Sequence, residues 1–207
     1  MKSIPVVIVT AALGLGVYAF AQNSMGGMDH SQMGATPAKT SAPMAGMAMG
    51  AMDMSGLEKL SGKAFDRAFL SMMVPHHQAA VDMARAVLPV SKDATVKAWA
   101  TAIIKDQNRE INEMNALLKT YGGKDAAMAA SMMKGMAGMA DMVKKAKNPD
   151  LAFVEGMLPH HASAIEMANM ALQKTPNSKI LPLARNIVTA QAKEMHDFRV
   201  WLMKRGM

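Results

Sequence analysis

The segment Met72-Met73-Val74-Pro75-His76-His77 returns 84 residues later as Gly156-Met157-Leu158-Pro159-His160-His161. The same offset of 84 relates Phe69 to Phe153, Met83 to Met167, Ala100 to Ala184, Ile103 to Ile187, Gln107 to Gln191, Glu110 to Glu194 and Leu118 to Leu202. No gap is needed across two helical stretches and the turn between them, so the register implies a duplicated helical hairpin. One hairpin cannot bury its own apolar face. Two related hairpins can close into a four-helix bundle with pseudo-two-fold symmetry. The expected fold class is therefore all-α, with repeats over about 57–121 and 149–207 and a methionine-rich helical connection over 124–147.

Periodicity supports each helix. Phe65, Phe69, Met73, His76, Ala80, Met83 and Val87 recur at intervals of three and four and form one stripe. Leu70, Val74, His77, Val81, Ala84 and Leu88 form the adjacent one, and the two stripes make a broad apolar face. Pro89 ends this helix, and Ser91-Lys92-Asp93 can cap the next. The second helix is expected from about Ala94 to Tyr121, with Trp99, Ile103, Asp106 or Gln107, Glu110, Met114 and Leu117 on its inner side and Gly122-Gly123 as its stop. The copies follow from about Asp150 to Lys174 and from about Lys179 to Lys204. In the connection, Met128, Met132, Met136, Met139 and Met142 share a face, interrupted by Gly135 and Gly138. Core filling and copper capture are both open uses for that face.

The N-terminus has the form of a secretory signal: Lys2, then an apolar stretch from Ile4 to Phe20, then Ala19-Phe20-Ala21 as a small-x-small cleavage site. A retained anchor is the alternative. Cleavage after Ala21 would remove one charge, Lys2, from a formal net charge of +7. Export makes nucleic acid an unsuitable partner for this basic chain, and no stable membrane insertion is expected once the signal is removed. Residues 22–56 contain no aromatic residue and no sustained periodicity, which suits a disordered methionine-rich linker. Eight methionines nevertheless fall between Met25 and Met54, and thioether coordination of Cu(I) or Ag(I) gives them a purpose that a plain spacer does not. There are 25 methionines and no cysteine, so soft ligation here has to come from thioethers and not thiolates.

The paired histidines carry the chemistry. Successive residues on a helix point about 100° apart, so His76 and His77 face different ways. Met73 lies three residues before His76 and four before His77, and Met83 lies seven after His76. Met157, His160, His161 and Met167 repeat the arrangement. Spacings of three and four bring side chains onto one face. Each copy thus offers two imidazoles and two thioethers, a donor set that narrows the metal to copper or silver. Pro75 and Pro159 each remove a helical hydrogen bond, so a kink is expected before each pair, which would expose the histidines or free a carbonyl. Glu110 and Glu194 on the partner helices are suited to orienting a histidine ring. Core histidines bonded to Gln and Glu of the facing helix are the alternative.

The pattern Phe69-x3-Met73-x-Pro75-His76-His77-x2-Ala80-x2-Met83-Ala84, followed by Ala100-x2-Ile103-Ile104-x2-Gln107-x2-Glu110-Ile111-x2-Met114, resembles domain-of-unknown-function family 305. The resemblance runs from about Leu57 to Leu202. It implies a ferritin-like helical bundle, export to the periplasm and copper binding through Met and His. The matched positions are Met73, His76, His77, Met83, Met157, His160, His161 and Met167. The second copy departs from the pattern with Phe198 in place of Met and Met195 in place of Ile.

The function expected from these readings is a periplasmic or secreted copper-binding protein. It would sequester, buffer or deliver Cu(I), with Cu(II) or Ag(I) as further cargo, and exchange copper with another periplasmic carrier or exporter. Thioethers bind Cu(I) without losing a proton and tolerate an oxidising compartment. A non-enzymatic role is expected. A ferritin-like metal-dependent oxidase would need the Glu-x-x-His pattern of di-metal carboxylate bundles, which this sequence lacks. A bis-histidine haem bundle without a covalent attachment motif and a metal-free interaction bundle complete the alternatives.

Overall fold

The computed structural model describes residues 54–207. The expected signal segment 1–21 and most of the linker 22–56 lie outside the described residues. Seven helices follow in order: α1 (Ser55–Glu58), α2 (Gly62–Val87), α3 (Ala94–Thr120), α4 (Ala126–Gly135), α5 (Met139–Lys145), α6 (Pro149–Lys174) and α7 (Ile180–Met203). Among the described residues there is no strand.

The duplicated hairpins are α2–α3 and α6–α7, each packed along its length. Their starts follow from local chemistry. The Asp93 carboxylate accepts the Thr95 and Val96 amides at 2.8 and 3.1 Å and begins α3. Asn148 accepts the Leu151 amide at 3.1 Å, and Pro149 takes the first helical position, where its missing N–H costs nothing. Asp93 also receives the Trp201 indole N–H at 3.0 Å and the Arg205 guanidinium, tying the α2–α3 turn to the end of α7.

The two hairpins meet mainly through α2 and α6. These helices run antiparallel: Met83, seven residues after His76, meets Gly156, four residues before His160. Phe65, Phe69, Met73, Met83, Phe153, Met157, Met167 and Phe198 are the large side chains buried around this seam.

Two boundaries differ from the sequence reading. The last residues assigned to the linker join the bundle: Met54 is buried, and α1 begins at Ser55, ahead of the fully enclosed Leu57 where the bundle was expected to start. A short apolar pair sufficed to anchor them, and Gly56 leaves room for the Met128 methyl group. The chain reverses between α1 and α2 at Gly62, whose φ of +55° a β-carbon would strain. The connection, expected as one helical stretch, is two helices, divided by Gly138 at φ +84°. It packs on α2, with α5 also reaching α6, and buries Ala129, Met132, Met136, Met139 and Val143. The methionine face of the connection is thus turned into the protein.

Candidate metal centre

His76, His77, His160 and His161 are all fully buried. So are Met73, Met83, Met157 and Met167. The expectation that Pro75 and Pro159 would expose the histidines is therefore overturned. Both prolines lie inside continuous helices; His76 and His160 meet across the α2–α6 seam, while His77 faces Glu110 of α3 and His161 faces Phe198 and Glu194 of α7. The His76 and His160 ring centroids are 3.8 Å apart, inclined at 41°. Rings of neighbours within one copy are further apart, 6.2 Å for His76 and His77 and 5.9 Å for His160 and His161.

Three of the four rings are held by a hydrogen bond at Nε2. Ser163 donates to the His160 carbonyl at 2.7 Å, so its oxygen accepts from His76 Nε2 at 2.8 Å. His160 Nε2 donates to the His76 carbonyl at 3.0 Å. His77 Nε2 donates to Glu110 Oε2 at 2.7 Å, because a carboxylate only accepts. His161 Nε2 is equally close to Glu194 Oε2, at 2.7 Å, but lies outside hydrogen-bond alignment, so the contact is one of proximity. In His76 and His160, which burial keeps neutral, the other nitrogen, Nδ1, is then a bare lone pair. All four Nδ1 atoms are buried without a partner. Both amide atoms of Gln107 and of Gln191, on the facing helices, are likewise buried and unpaired.

Burial, reinforced by the neighbouring histidines, holds His76 well below the usual imidazole range. His160 is lowered too, by burial first and then by His161 and His77. Both are neutral at ordinary pH, the form in which imidazole ligates a metal. Glu110 takes the ring-orienting place assigned to it in the sequence, whereas Glu194, the more exposed of the two, comes close to His161 without a hydrogen bond.

The structure brings the two copies together at His76 and His160 but does not gather the four histidines into one chelate. Among the described residues, no three His, Asp or Glu side chains converge on a point that could hold an ion. Thioethers would have to complete any coordination sphere. A separate groove of about 580 Å³ runs between α2, α3 and the connection, lined in part by Pro75, Asp82, Met133, Met136, Met139 and Asp141. None of the eight candidate ligands lines it. His196 is exposed beside Asp197, at 3.2 Å, and stands apart from the centre.

Sequence reasoning missed Ser163, although a signal was available: its counterpart in the first copy is Ala79, so only one copy supplies a hydroxyl at the seam. It also missed the pairing of Gly156 with Met142, for which the exchange of Met72 for Gly156 between copies was the sign.

A family model described as a domain of unknown function, DUF305, matches residues 18–118 and 150–207. The chain belongs to the DUF305 family. Residues 119–149, which hold the connection, fall outside the match. Solved structures similar to this DUF305 chain include CopM in its Cu(II)-bound form, 33% identical with a TM-score of 0.61, covering 67% of this chain and 96% of CopM. CopM in its Cu(I)-bound form is 30% identical with a TM-score of 0.58 over the same shares. CopM has also been crystallised with silver. A DUF305 protein from Streptomyces coelicolor shares the fold, with a TM-score of 0.61 at 22% identity, covering 68% of this chain and 93% of its own. Among curated proteins, an uncharacterized mimivirus protein, L153, is 43% identical over 53 residues, 26% of this chain; the match spans about 35% of that relative's length.

Proposed function

We propose that this protein binds copper, chiefly as Cu(I), and that it sequesters, buffers or delivers the ion outside the cytoplasm without catalysing a reaction. Four fully buried imidazoles whose Nδ1 atoms all lack a hydrogen-bond partner carry this reading. A buried polar atom without a partner is uncommon and calls for a reason. A metal ion is one that suits a lone pair. The ligand set we assign is Met73, His76, His77, Met83, Met157, His160, His161 and Met167. The thioethers bias the site toward soft ions, so Ag(I) is a further cargo, with Cu(II) held more by imidazole. The similarity to CopM, solved with Cu(I), Cu(II) and silver, supports the same cargo here.

The signal-like segment 1–21 and the methionine-rich residues that follow support an exported protein with an additional tail for copper capture. No described helix is long and apolar enough to cross a membrane. A periplasmic carrier or exporter is the partner class that suits such a protein.

A second reading is favoured by one observation. The Nε2 atoms of His76, His77 and His160 are already hydrogen-bonded, as in a metal-free structural core. Titration of the full chain with Cu(I) against a competing chelator separates the two. Saturable binding tighter than micromolar, weakened when His76 and His160 are replaced, is expected. The absence of such binding sinks the copper reading and leaves the structural one.

A further inference from the structure

We propose that Met142, supplied by the connection, joins Met83 in a soft-metal site at a notch formed by Gly156. This rests on the copper reading above and adds to it a ligand from outside the family's matched residues, which omit 119–149. A side chain beginning at position 156 would start 3.2 Å from the Met142 methyl carbon and 3.7 Å from the Met83 sulfur. The absence of a β-carbon at Gly156 is therefore what lets these two thioether side chains share one corner between α2, α5 and α6.

The repeat gives the corner a counterpart. Position 156 is matched by Met72, which is buried, and Met83 is matched by Met167. The pseudo-two-fold thus relates the Met83–Gly156 corner to one with Met167 and Met72. One copy carries its second thioether on the repeat itself. The other has glycine there, and α5 places Met142 against it. The pseudo-two-fold would therefore place two thioethers at each corner, the second drawn from different elements. Packing alone would be met by leucine, whereas a constant pair of sulfurs suits an ion that prefers soft donors, Cu(I) or Ag(I). Methionine has three rotatable bonds, so both sulfurs can turn toward one ion without moving the helices. Met83 is fully buried and Met142 only partly, so the site has an outer side through which an ion can enter.

The test uses the full chain carrying 13C-labelled methionine methyl groups, titrated with Ag(I) as a diamagnetic stand-in for Cu(I). Resonances are assigned with Met83→Leu and Met142→Leu. The Met83 and Met142 methyl signals are expected to shift together over one range of added Ag(I). Met142→Leu should leave the thermal melt unchanged, abolish the coupled shift at Met83 and weaken this site by about tenfold or more. A stationary Met142 signal while other methionines respond would overturn the pair and leave the copper reading standing. No response from any methionine would overturn both.

Discussion

Ser163 and Ala79 occupy equivalent positions, and that one hydroxyl breaks the symmetry of the centre. It accepts the His76 N–H across the seam. No hydroxyl answers it on α2, so His160 donates to the His76 carbonyl instead. Glu110 governs the neighbouring ring. Glu110→Ala leaves the buried His77 N–H unpaired, which should cost about 1–3 kcal/mol in urea unfolding. It should also lower copper affinity by roughly 10–100-fold, because the ring loses its orienting partner. A stability loss with unchanged affinity would make Glu110 a structural residue only. The pH dependence follows from His76 and His160, whose folded values are depressed by burial. The unfolded chain takes up protons near the ordinary imidazole value, while the folded one resists. Their contribution is therefore complete above about pH 6.5 and is lost as pH falls through 6.5 toward the lower folded values, by up to about 1.4 kcal/mol per pH unit for each ring. Urea midpoints measured between neutral and acid pH should fall; midpoints that hold or rise would contradict the buried neutral rings.

Helix ends do more than terminate helices here. Asp93 caps α3 with one oxygen and holds Trp201 and Arg205 of the α7 end with the other. Asp93→Ala should destabilise the protein by about 1–2 kcal/mol, the upper range for a lost N-cap. Chemical denaturation measures it, and a change within error would mean that water replaces the carboxylate at both places. Periodicity placed the four long helices to within a residue or two, apart from the start of α2. There the first repeat was expected to begin at about Leu57, while Gly62 at positive φ divides α1 from α2. Gly138 divides the connection by the same means. A glycine's choice of the left-handed region depends on what the flanking segments pack against, which local sequence does not report. Pro75 misled for a related reason. A missing helical hydrogen bond says nothing about which residues neighbouring elements cover, and His76 and His77 are both enclosed.

At the scale of the whole molecule, the 84-residue register was sufficient to give the duplicated hairpins, their partner helices and the eight candidate ligands. The contact of His77 with Glu110 and of His161 with Glu194 could also be read there, since equivalent residues recur on facing helices. The meeting of His76 with His160 could not, because symmetry alone does not say how close an element passes to its own axis. Neither could the role of α5 at Gly156, which depends on where a connection of no fixed register lands. The central claim is that copper enters the α2–α6 seam. Anomalous diffraction at the copper edge from Cu(I)-loaded crystals tests it most directly. A copper peak is expected within ligand reach of the seam histidines and of Met73, Met83, Met157 or Met167. Peaks confined to exposed positions such as His196, with the seam empty, would contradict it.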